Sequence, residues 1–251
     1  MPTSQTILIT GASGGIGAAL ARALAAPGVT LLLWGRDATR LAQTASACAV
    51  LGAVCETQAF DIRDADDQLA RLAAADAQRP IELAIFNAGL GGSVEDDARA
   101  EDAGRARATA EVNFVAPVVG ASLIAGRMAA RRTGRIVLIG SIAESFPLPM
   151  APTYAATKAG LAMFAEALSI RMGKHGVGVT LVSPGFIDTP MSRAVPQSKP
   201  FLMTADAAAR VIVHGIAAGT RRIVVPWQFA VIRGITRLLP RALLRVILSR
   251  A

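Results

Sequence analysis

The sequence predicts a doubly wound α/β fold, in which a single domain contains a seven-stranded parallel sheet with helices on both faces. The main observation is that short apolar runs rich in β-branched residues alternate with longer alanine-rich stretches, as strands alternate with crossover helices. A length of 251 residues with 53% hydrophobic and 18% charged residues also suits one domain of this class with a large core.

The predicted elements alternate from the N-terminus to the C-terminus. The apolar runs predict strands at residues 6–10, 29–34, 53–59, 83–87, 136–139, 177–183 and 223–226. The stretches between them predict helices near residues 16–26, 38–50, 65–77, 100–130, 153–173 and 204–218. Two further segments, residues 90–101 and 185–204, fit neither pattern. Because open parallel sheets bind ligands beyond the carboxyl ends of their strands, we expect these two loops to contact a substrate.

A glycine-rich segment joins the first predicted strand to the first predicted helix. It reads Thr10-Gly11-Ala12-Ser13-Gly14-Gly15-Ile16-Gly17. Gly11 permits a tight turn, Gly15 lets the backbone approach a pyrophosphate, and Gly17 allows the helix to pack closely on the strand. The N-terminus of the helix favours bound negative charge. The segment therefore predicts a dinucleotide site that contains Gly11, Ser13, Gly15, Ile16 and Gly17.

The end of the second predicted strand bears on the choice between NAD and NADP. In Gly35-Arg36-Asp37, the guanidinium of Arg36 can pair with the 2′-phosphate of NADP, whereas an acidic side chain would bind the ribose hydroxyls of NAD. Asp37 has two interpretations, as the cap of the following helix or as a ligand of the NAD ribose. We predict NADP(H) as the cofactor, with NAD(H) as the alternative.

Two more strand ends face the same predicted crevice. Asp61 and Ile62 follow the third strand, and Asp61 can accept a hydrogen bond from the adenine amino group. Asn87, Ala88 and Gly89 follow the fourth strand, where small residues leave room for a flat ring. A helix cap at Asp61 and a simple turn at residues 87–89 are the structural alternatives.

Tyr154 and Lys158 lie four residues apart on a predicted helix, so they share one face. A phenol with a pKa of about 10 is a poor base at neutral pH, and we expect the ammonium of Lys158, with the nicotinamide cation, to lower the pKa of Tyr154. Ser141 ends the preceding strand, and we expect its hydroxyl to reach the substrate oxygen. Asn113 lies on the preceding long helix, where it is predicted to hold a water that links Lys158 to solvent.

Taken together, these motifs resemble the short-chain dehydrogenase/reductase family over about residues 6–226. The resemblance implies a Rossmann-type fold in which Asn113, Ser141, Tyr154 and Lys158 are catalytic and Lys158 also binds the nicotinamide ribose. It further implies that residues 184–189 lie against the nicotinamide ring and carboxamide. The segments that carry the resemblance are the glycine-rich segment, Asp61, Asn87-Ala88-Gly89, Asn113, Ser141, Tyr154 with Lys158, and Ser183-Pro184-Gly185 with Ile187 and Thr189.

The predicted function is that of an NADP(H)-dependent oxidoreductase that interconverts a carbonyl and an alcohol, with Tyr154 as the acid/base. An NAD-dependent alcohol or sugar dehydrogenase is one alternative, and a catalytically silent, cofactor-binding protein that docks on membranes is another. The sequence does not identify the small-molecule substrate. Its candidate loops combine the polar Glu144 with an apolar set formed by Phe146, Met150, Phe186, Met191 and Phe201.

The net charge of +8 comes from the C-terminus. All 18 acidic residues precede residue 221, whereas residues 221–251 contain seven arginines, so the body lacks the basic groove that nucleic acid requires. We therefore divide the chain into a catalytic domain, residues 1–226, and a basic amphipathic helical extension, residues 227–251, in which Pro240 starts a second helix. The extension either packs on the body or binds an anionic membrane surface. Because it replaces the usual tetramer-forming end of the family, we expect a homodimer.

Other classes of site and location are not indicated. Cys48 and Cys55 show no metal-ligand or disulfide spacing, and His175 and His214 are isolated, so no metal is predicted. The N-terminus does not resemble a secretory signal, and no run of about 18 apolar residues is free of charge. We expect a cytoplasmic protein, with the extension as its candidate contact to the inner face of the membrane.

Overall fold

The computed structural model describes residues 5–91, 100–194 and 198–238. Its strands are β1 (Gln5–Thr10), β2 (Val29–Gly35), β3 (Val54–Ala59), β4 (Leu83–Phe86), β5 (Arg135–Ile139), β6 (Gly178–Pro184), β7 (Ile187–Asp188), β8 (Met203–Thr204) and β9 (Arg222–Val225). Seven of them form a parallel sheet with the strand order β3-β2-β1-β4-β5-β6-β9, and β7 pairs with β8 in a separate two-stranded sheet. The seven predicted strands are the seven strands of the sheet.

Helices connect the strands of the sheet. They are α1 (Gly15–Leu24), α2 (Ala38–Val50), α3 (Ala65–Gln78), α4 (Ala103–Ala110), α5 (Ala116–Arg131), α6 (Pro152–Gly173), α7 (Pro190–Arg193), α8 (Ala205–Ala217) and α9 (Gln228–Leu238). Polar side chains cap several of them: Asp37, Asp64 and Thr204 each accept a hydrogen bond from the backbone N–H three residues later, at the starts of α2, α3 and α8.

Two apolar clusters, one on each face, bury the sheet. Ile7 and Ile9 of β1 belong to the cluster that packs against α1, α2 and α8, whereas Leu8 between them belongs to the cluster that packs against α3, α5 and α6. Successive side chains of a strand point to opposite faces, so a strand with apolar residues at every position must be covered on both sides. This packing confirms the predicted doubly wound, Rossmann-like fold.

The single helix predicted near residues 100–130 is present as Ala103–Arg131, but it contains a π-helical turn, Glu111–Val115, between α4 and α5. In this turn the N–H of Ala116 donates to the carbonyl of Glu111, five residues earlier. Pro117, the residue after Ala116, explains this π-helical turn. It has no N–H, so it cannot donate the α-helical hydrogen bond to the carbonyl of Asn113. The turn changes the direction in which the side chain of Asn113 projects from the helix.

By length and composition alone, the helix Ala103–Arg131 could cross a membrane. The sequence did not predict this, because no run of about 18 apolar residues is free of charge. Half of its most apolar window is buried inside the protein, in the cluster that contacts the sheet. Such burial is typical of a helix in the core of a globular protein, which can have the same length and composition as a membrane-spanning helix. No other helix among the described residues meets both criteria.

The first part of the C-terminal extension packs on the body. Phe229 of α9 is 6% exposed, and its ring centroid lies 6.1 Å from that of Phe186 and 5.7 Å from that of Phe201. A Cβ at Gly185 would lie 2.4 Å from the Phe229 ring, so only glycine fits there. Trp227 remains 68% exposed. The predicted second helix after Pro240, with Arg241 and Arg245, lies outside the described residues, as do residues 92–99 and 195–197 of the predicted loops.

Candidate active site

A cleft of about 430 Å³ opens at the carboxyl ends of β1 and β4. These strands are neighbours at the point where the chain reverses its direction of winding, which is the usual ligand site of open α/β sheets. Most of the predicted site residues lie on its walls: Gly11, Ser13, Gly15, Ile16, Arg36, Ile62, Asn87, Ala88, Gly89, Ser141, Tyr154, Lys158, Pro184 and Thr189.

The glycine-rich segment forms the floor of the cleft. Gly11 has a φ of +68°, and a Cβ there would lie 2.7 Å from Cα of Ala88, so both conformation and space require glycine. A Cβ at Gly17 would lie 2.2 Å from the carbonyl oxygen of Gly11, which explains the close packing predicted for that residue. Gly14 caps α1 without a side-chain hydrogen bond, which leaves the N–H groups of the first turn able to bind an anion.

Asn87 fixes the position of this segment. Its Nδ2 donates to the carbonyl oxygens of Thr10 and Gly11, both at 3.1 Å. In return, Oγ1 of Thr10 accepts from the backbone N–H groups of Asn87 and Ala88, at 3.0 and 3.1 Å. The four bonds join the ends of β1 and β4, so Asn87 shapes the glycine-rich turn, and its contact with a nucleotide stays a prediction. Sequence reasoning did not assign this role to Thr10.

Two arginines lie at the end of the cleft next to β2. Arg36 lines it as predicted, and so does Arg40, whose Nη2 lies 2.9 Å from the Cβ position of Gly14. Asp37 accepts from the backbone N–H of Arg40 at 3.0 Å, which confirms its interpretation as a helix cap. Arg40 was missed, although its spacing of four residues from Arg36 was a signal that α2 could carry a second cation toward the same site.

Asp61 is not among the residues that line the cleft, although Phe60 and Ile62 are. Its carboxylate pairs with Arg63, with Nη2 at 2.5 Å from Oδ2, and this hydrogen-bonded guanidinium lowers the pKa of Asp61. Nor is Asp61 a helix cap, since Asp64 caps α3. The ion pair satisfies the carboxylate locally, and contact with adenine stays a prediction.

Ser141 and Tyr154 come together at the opposite end of the cleft. Ser141 is 8% exposed and starts a short 3₁₀ turn, where its Oγ accepts from the N–H of Ala143 at 3.1 Å. Both side chains line this part of the cleft, and hydrogen bonding by Ser141 lowers the pKa of Tyr154. Burial raises the pKa of Tyr154, and this hydrogen bond offsets only part of the effect. The lowering expected from Lys158 together with the nicotinamide cation concerns the complex and stays a prediction, because in the protein alone loss of hydration dominates.

Lys158 is buried beneath this pair and is 5% exposed. Its Nζ donates to the carbonyl oxygen of Ile139 at 2.9 Å and lies 5.7 Å from the centroid of the Tyr154 ring. Burial lowers the pKa of Lys158 to about 8, against the opposing charge of Glu144. The ammonium is thus held at the base of the site by a strand carbonyl, within reach of a ribose in the cleft.

The side chain of Asn113 is engaged with the backbone of Leu90. Its Nδ2 donates to the carbonyl of Leu90 at 2.9 Å, and its Oδ1 accepts from the N–H of Leu90 at 2.7 Å. The side chain therefore anchors the loop after β4. The predicted contact with a water would then involve the backbone of Asn113 instead. The carbonyl of Asn113 is the candidate, since Pro117 has no N–H to occupy it.

Two residues predicted to lie against the nicotinamide ring do not line the cleft. Ile187 is 3% exposed and belongs to the core, where it pairs with Met203, and Gly185 lies against Phe229. The short strand β7, in a segment predicted as loop, directs the side chain of Ile187 into the core, and contact of either residue with the nicotinamide stays a prediction. Met191 lines the cleft as expected of a substrate loop, but Glu144 points away into a buried ion pair with Arg222.

Glu101 is a further residue that sequence reasoning missed. Its Oε2 accepts from the backbone N–H of Thr153 at 3.1 Å and from the Thr153 hydroxyl at 2.6 Å. This carboxylate caps the N-terminus of α6 from another part of the chain, one residue before Tyr154. Since the two residues lie about fifty positions apart, no local pattern predicted the pair.

Neither cysteine lies in the cleft. Both are free thiols, and burial raises the pKa of Cys48 to about 11. Within the described part of the chain, no group of three or more His, Cys, Asp or Glu side chains could hold a metal ion.

Comparison with known proteins places these features in context. A sequence model of the family described as short chain dehydrogenase matches residues 5–200. An uncharacterized oxidoreductase of Myxococcus xanthus is 32% identical over 95% of this chain and 94% of its own. The monensin polyketide synthase putative ketoacyl reductase of Streptomyces virginiae is 35% identical over 78% of this chain and 75% of its own. Among solved structures, a short-chain dehydrogenase from Sphingobium yanoikuyae in complex with NADPH matches with a TM-score of 0.81 and 26% identity, covering 95% of this chain and 97% of that one.

Proposed function

Because the chain belongs to the short-chain dehydrogenase/reductase family of oxidoreductases, we propose that it interconverts a carbonyl and an alcohol with NADP(H), with Tyr154 as the acid/base. The observation that carries the proposal is that one cleft brings Tyr154, Ser141 and Lys158 to one end and the glycine-rich helix N-terminus to the other. Such a cleft has room for a dinucleotide between an anion site and an acid/base pair. The relative named as a putative ketoacyl reductase supports a ketone substrate.

The chain's own residues fit the parts of NADP(H). The first turn of α1 would bind the pyrophosphate, and Arg36 and Arg40 would bind the 2′-phosphate, since both guanidiniums line that end of the cleft. Asp37 caps α2 with its Oδ1 and also lines this end of the cleft, so it is the residue that would bind the ribose hydroxyls of NAD in the alternative function. The bound nicotinamide supplies the hydride. An NAD-dependent alcohol or sugar dehydrogenase remains the alternative function, and Arg36 is the residue that separates the two.

We expect Arg36→Glu to reverse the preference between the two cofactors. Loss of a charge-assisted bond and repulsion of the phosphate together should raise the dissociation constant for NADPH by about 100-fold, while that for NADH should change by less than about threefold. Arg210→Glu, on the exposed face of α8, is the matched control for the change in net charge. Dissociation constants for both nucleotides, measured by protein fluorescence quenching, provide the test. An unchanged ratio of the two constants in Arg36→Glu would rule out NADP selection by this arginine.

In the reduction direction, Ser141 donates a hydrogen bond to the substrate oxygen and Tyr154 donates its proton there. A raised pKa suits this role, because Tyr154 then carries its proton throughout the neutral range. Lys158 restores the proton to the phenolate, and its own proton comes from solvent through a water at the Asn113 carbonyl. Reduction is thus the direction that the protonation state of this site favours near neutral pH.

The homodimer, the cytoplasmic location and the membrane contact stay predictions. Trp227, just before α9, and Val231 within it are exposed, whereas Phe229 is buried, so this segment has one packed face and one apolar face toward solvent. Its packed face supports the interpretation that the extension is part of the body. Its exposed face, with the arginines that follow in the sequence, supports the membrane interpretation.

A further inference from the structure

Behind the Ser141 turn lies a buried ionic cluster that the proposed mechanism does not use. The carboxylate of Glu144 is 3% exposed and forms an ion pair with Arg222 of β9. Ser183 of β6 donates its hydroxyl to both carboxylate oxygens, at 3.1 Å. Because water is excluded, the charge of Glu144 is compensated only by its protein neighbours.

This cluster contacts the turn that carries Ser141. The N–H of Glu144 donates to the carbonyl of Ser141 at 3.1 Å, so both residues belong to one turn. The Oε2 of Glu144 lies 3.0 Å from the Cβ position of Gly140, which directly precedes Ser141. A shift of this carboxylate would therefore move the turn that carries the Ser141 hydroxyl.

We propose that Glu144 is a positioning residue, which ties the Ser141 turn to β6 and β9 and keeps the buried ammonium of Lys158 charged. This inference rests on the proposed function, in which Ser141 and Lys158 serve Tyr154. The link to Lys158 runs along β5, because Nζ of Lys158 donates to the carbonyl of Ile139 at 2.9 Å and Oε2 of Glu144 lies 3.0 Å from the Cβ position of Gly140, the next residue. The negative charge so placed raises the pKa of the ammonium, against the effect of burial. Without Glu144, the lysine would lose its proton at a lower pH.

Charges from every element around the cluster bear on Glu144. Arg222 of β9 and Arg233 of α9 lower its pKa, Ser183 of β6 does so by hydrogen bonding, and burial raises it above the usual range. From α6, Lys158 lies on one side, and Glu166 reaches Arg222 at 4.0 Å on the other. The contribution of Arg233 means that the C-terminal extension also takes part in holding this carboxylate ionised.

The test replaces Glu144 with Gln, which keeps the shape and a hydrogen-bond acceptor but removes the charge. Glu166→Gln is the matched control, since it makes the same change at the exposed carboxylate near Arg222. The chain has three lysines, Lys158, Lys174 and Lys199, so the pKa of Lys158 can be read from ¹³C-lysine NMR spectra of the full-length protein. Lys158→Met assigns its resonance.

We expect Glu144→Gln to lower the pKa of Lys158 by at least about half a unit. With the carbonyl substrate, kcat should fall by about tenfold while KM and the NADPH dissociation constant change by less than about twofold. The alkaline limb of the kcat profile should move to lower pH, because reduction requires the protonated lysine. Glu166→Gln should match wild type in every measurement.

If Glu144→Gln does not fold, the double variant Glu144→Met, Arg222→Met removes both charges together and leaves no unpaired ion. It is expected to show the same shift at Lys158. An unchanged Lys158 titration overturns the proposal, and so does a shifted titration with unchanged kcat. If wild type turns over no carbonyl, the proposed function fails instead, and the NMR titration alone then decides whether Glu144 keeps Lys158 charged.

Discussion

Tyr154→Phe is expected to lower kcat for carbonyl reduction by about 10³-fold, which is the usual contribution of a positioned general acid. Phenylalanine keeps the ring and its packing but has no proton to donate. Ser141 would then lose its hydrogen-bond partner and could only polarise the substrate oxygen. The dissociation constant for NADPH should stay within about threefold of wild type, because no proton moves when the nucleotide binds.

The comparison is clean because Tyr154 is the only tyrosine in the chain. Met163→Leu, on the exposed face of the same helix, controls for a conservative change in α6 and should leave kcat unaltered. Single-turnover measurement with bound NADPH isolates the chemical step from product release. Equal rates for Tyr154→Phe and wild type would exclude Tyr154 as the acid.

Lys158→Met is expected to lower kcat by a factor of about 10² to 10⁴, and to weaken NADPH binding as well, since the ammonium serves both the proton path and the ribose. Lys174→Met, at the exposed C-terminal end of α6, is the matched control. Loss of activity without loss of nucleotide affinity would contradict the dual role of Lys158.

The free energy of unfolding of Lys158→Met should depend on pH differently from that of wild type. The pKa of Lys158 is about 8 in the folded protein and ordinarily 10.5, so between these values the unfolded chain binds more protons, and wild-type stability rises with pH across that window. Methionine has no such charge to bury. At pH 7 the lost bond to Ile139 costs about 1–3 kcal/mol, and removal of the buried ammonium offsets a similar amount.

Thermal unfolding of both proteins at a series of pH values checks this expectation. The stability of Lys158→Met relative to wild type should decline as pH rises from about 8 to 10.5, because only wild type gains stability there. A constant difference over the window would show that Lys158 carries no buried charge.

Local patterns predicted the parts of the molecule that depend on neighbours in sequence. Alternating apolar runs predict strands because each strand buries both faces, and the turn at Gly11 needs glycine whatever lies elsewhere. The pair of Tyr154 and Lys158 was predictable for the same reason, since four residues on a helix fix their common face.

Contacts between distant segments were not predictable in this way. The pairs of Glu101 with Thr153 and of Glu144 with Arg222 join residues 52 and 78 positions apart, and each takes a side chain out of the role that its loop suggested. The raised pKa of Tyr154 in the protein alone was not predicted, because the sequence displays charges whereas the cost of burial depends on the tertiary structure. Likewise, the position of Ile187 depends on its pairing with Met203.

Transfer of label from the cofactor tests the central claim most directly. The purified protein would be incubated with a panel of ketones and aldehydes and with NADPH deuterated at C4 on either face, and the products would be analysed by mass spectrometry. We predict that one face delivers deuterium to the carbinol carbon of an alcohol product, with one label per NADPH consumed, and that Tyr154→Phe yields almost none. Unlabelled alcohol, or equal labelling by Tyr154→Phe, would contradict the account.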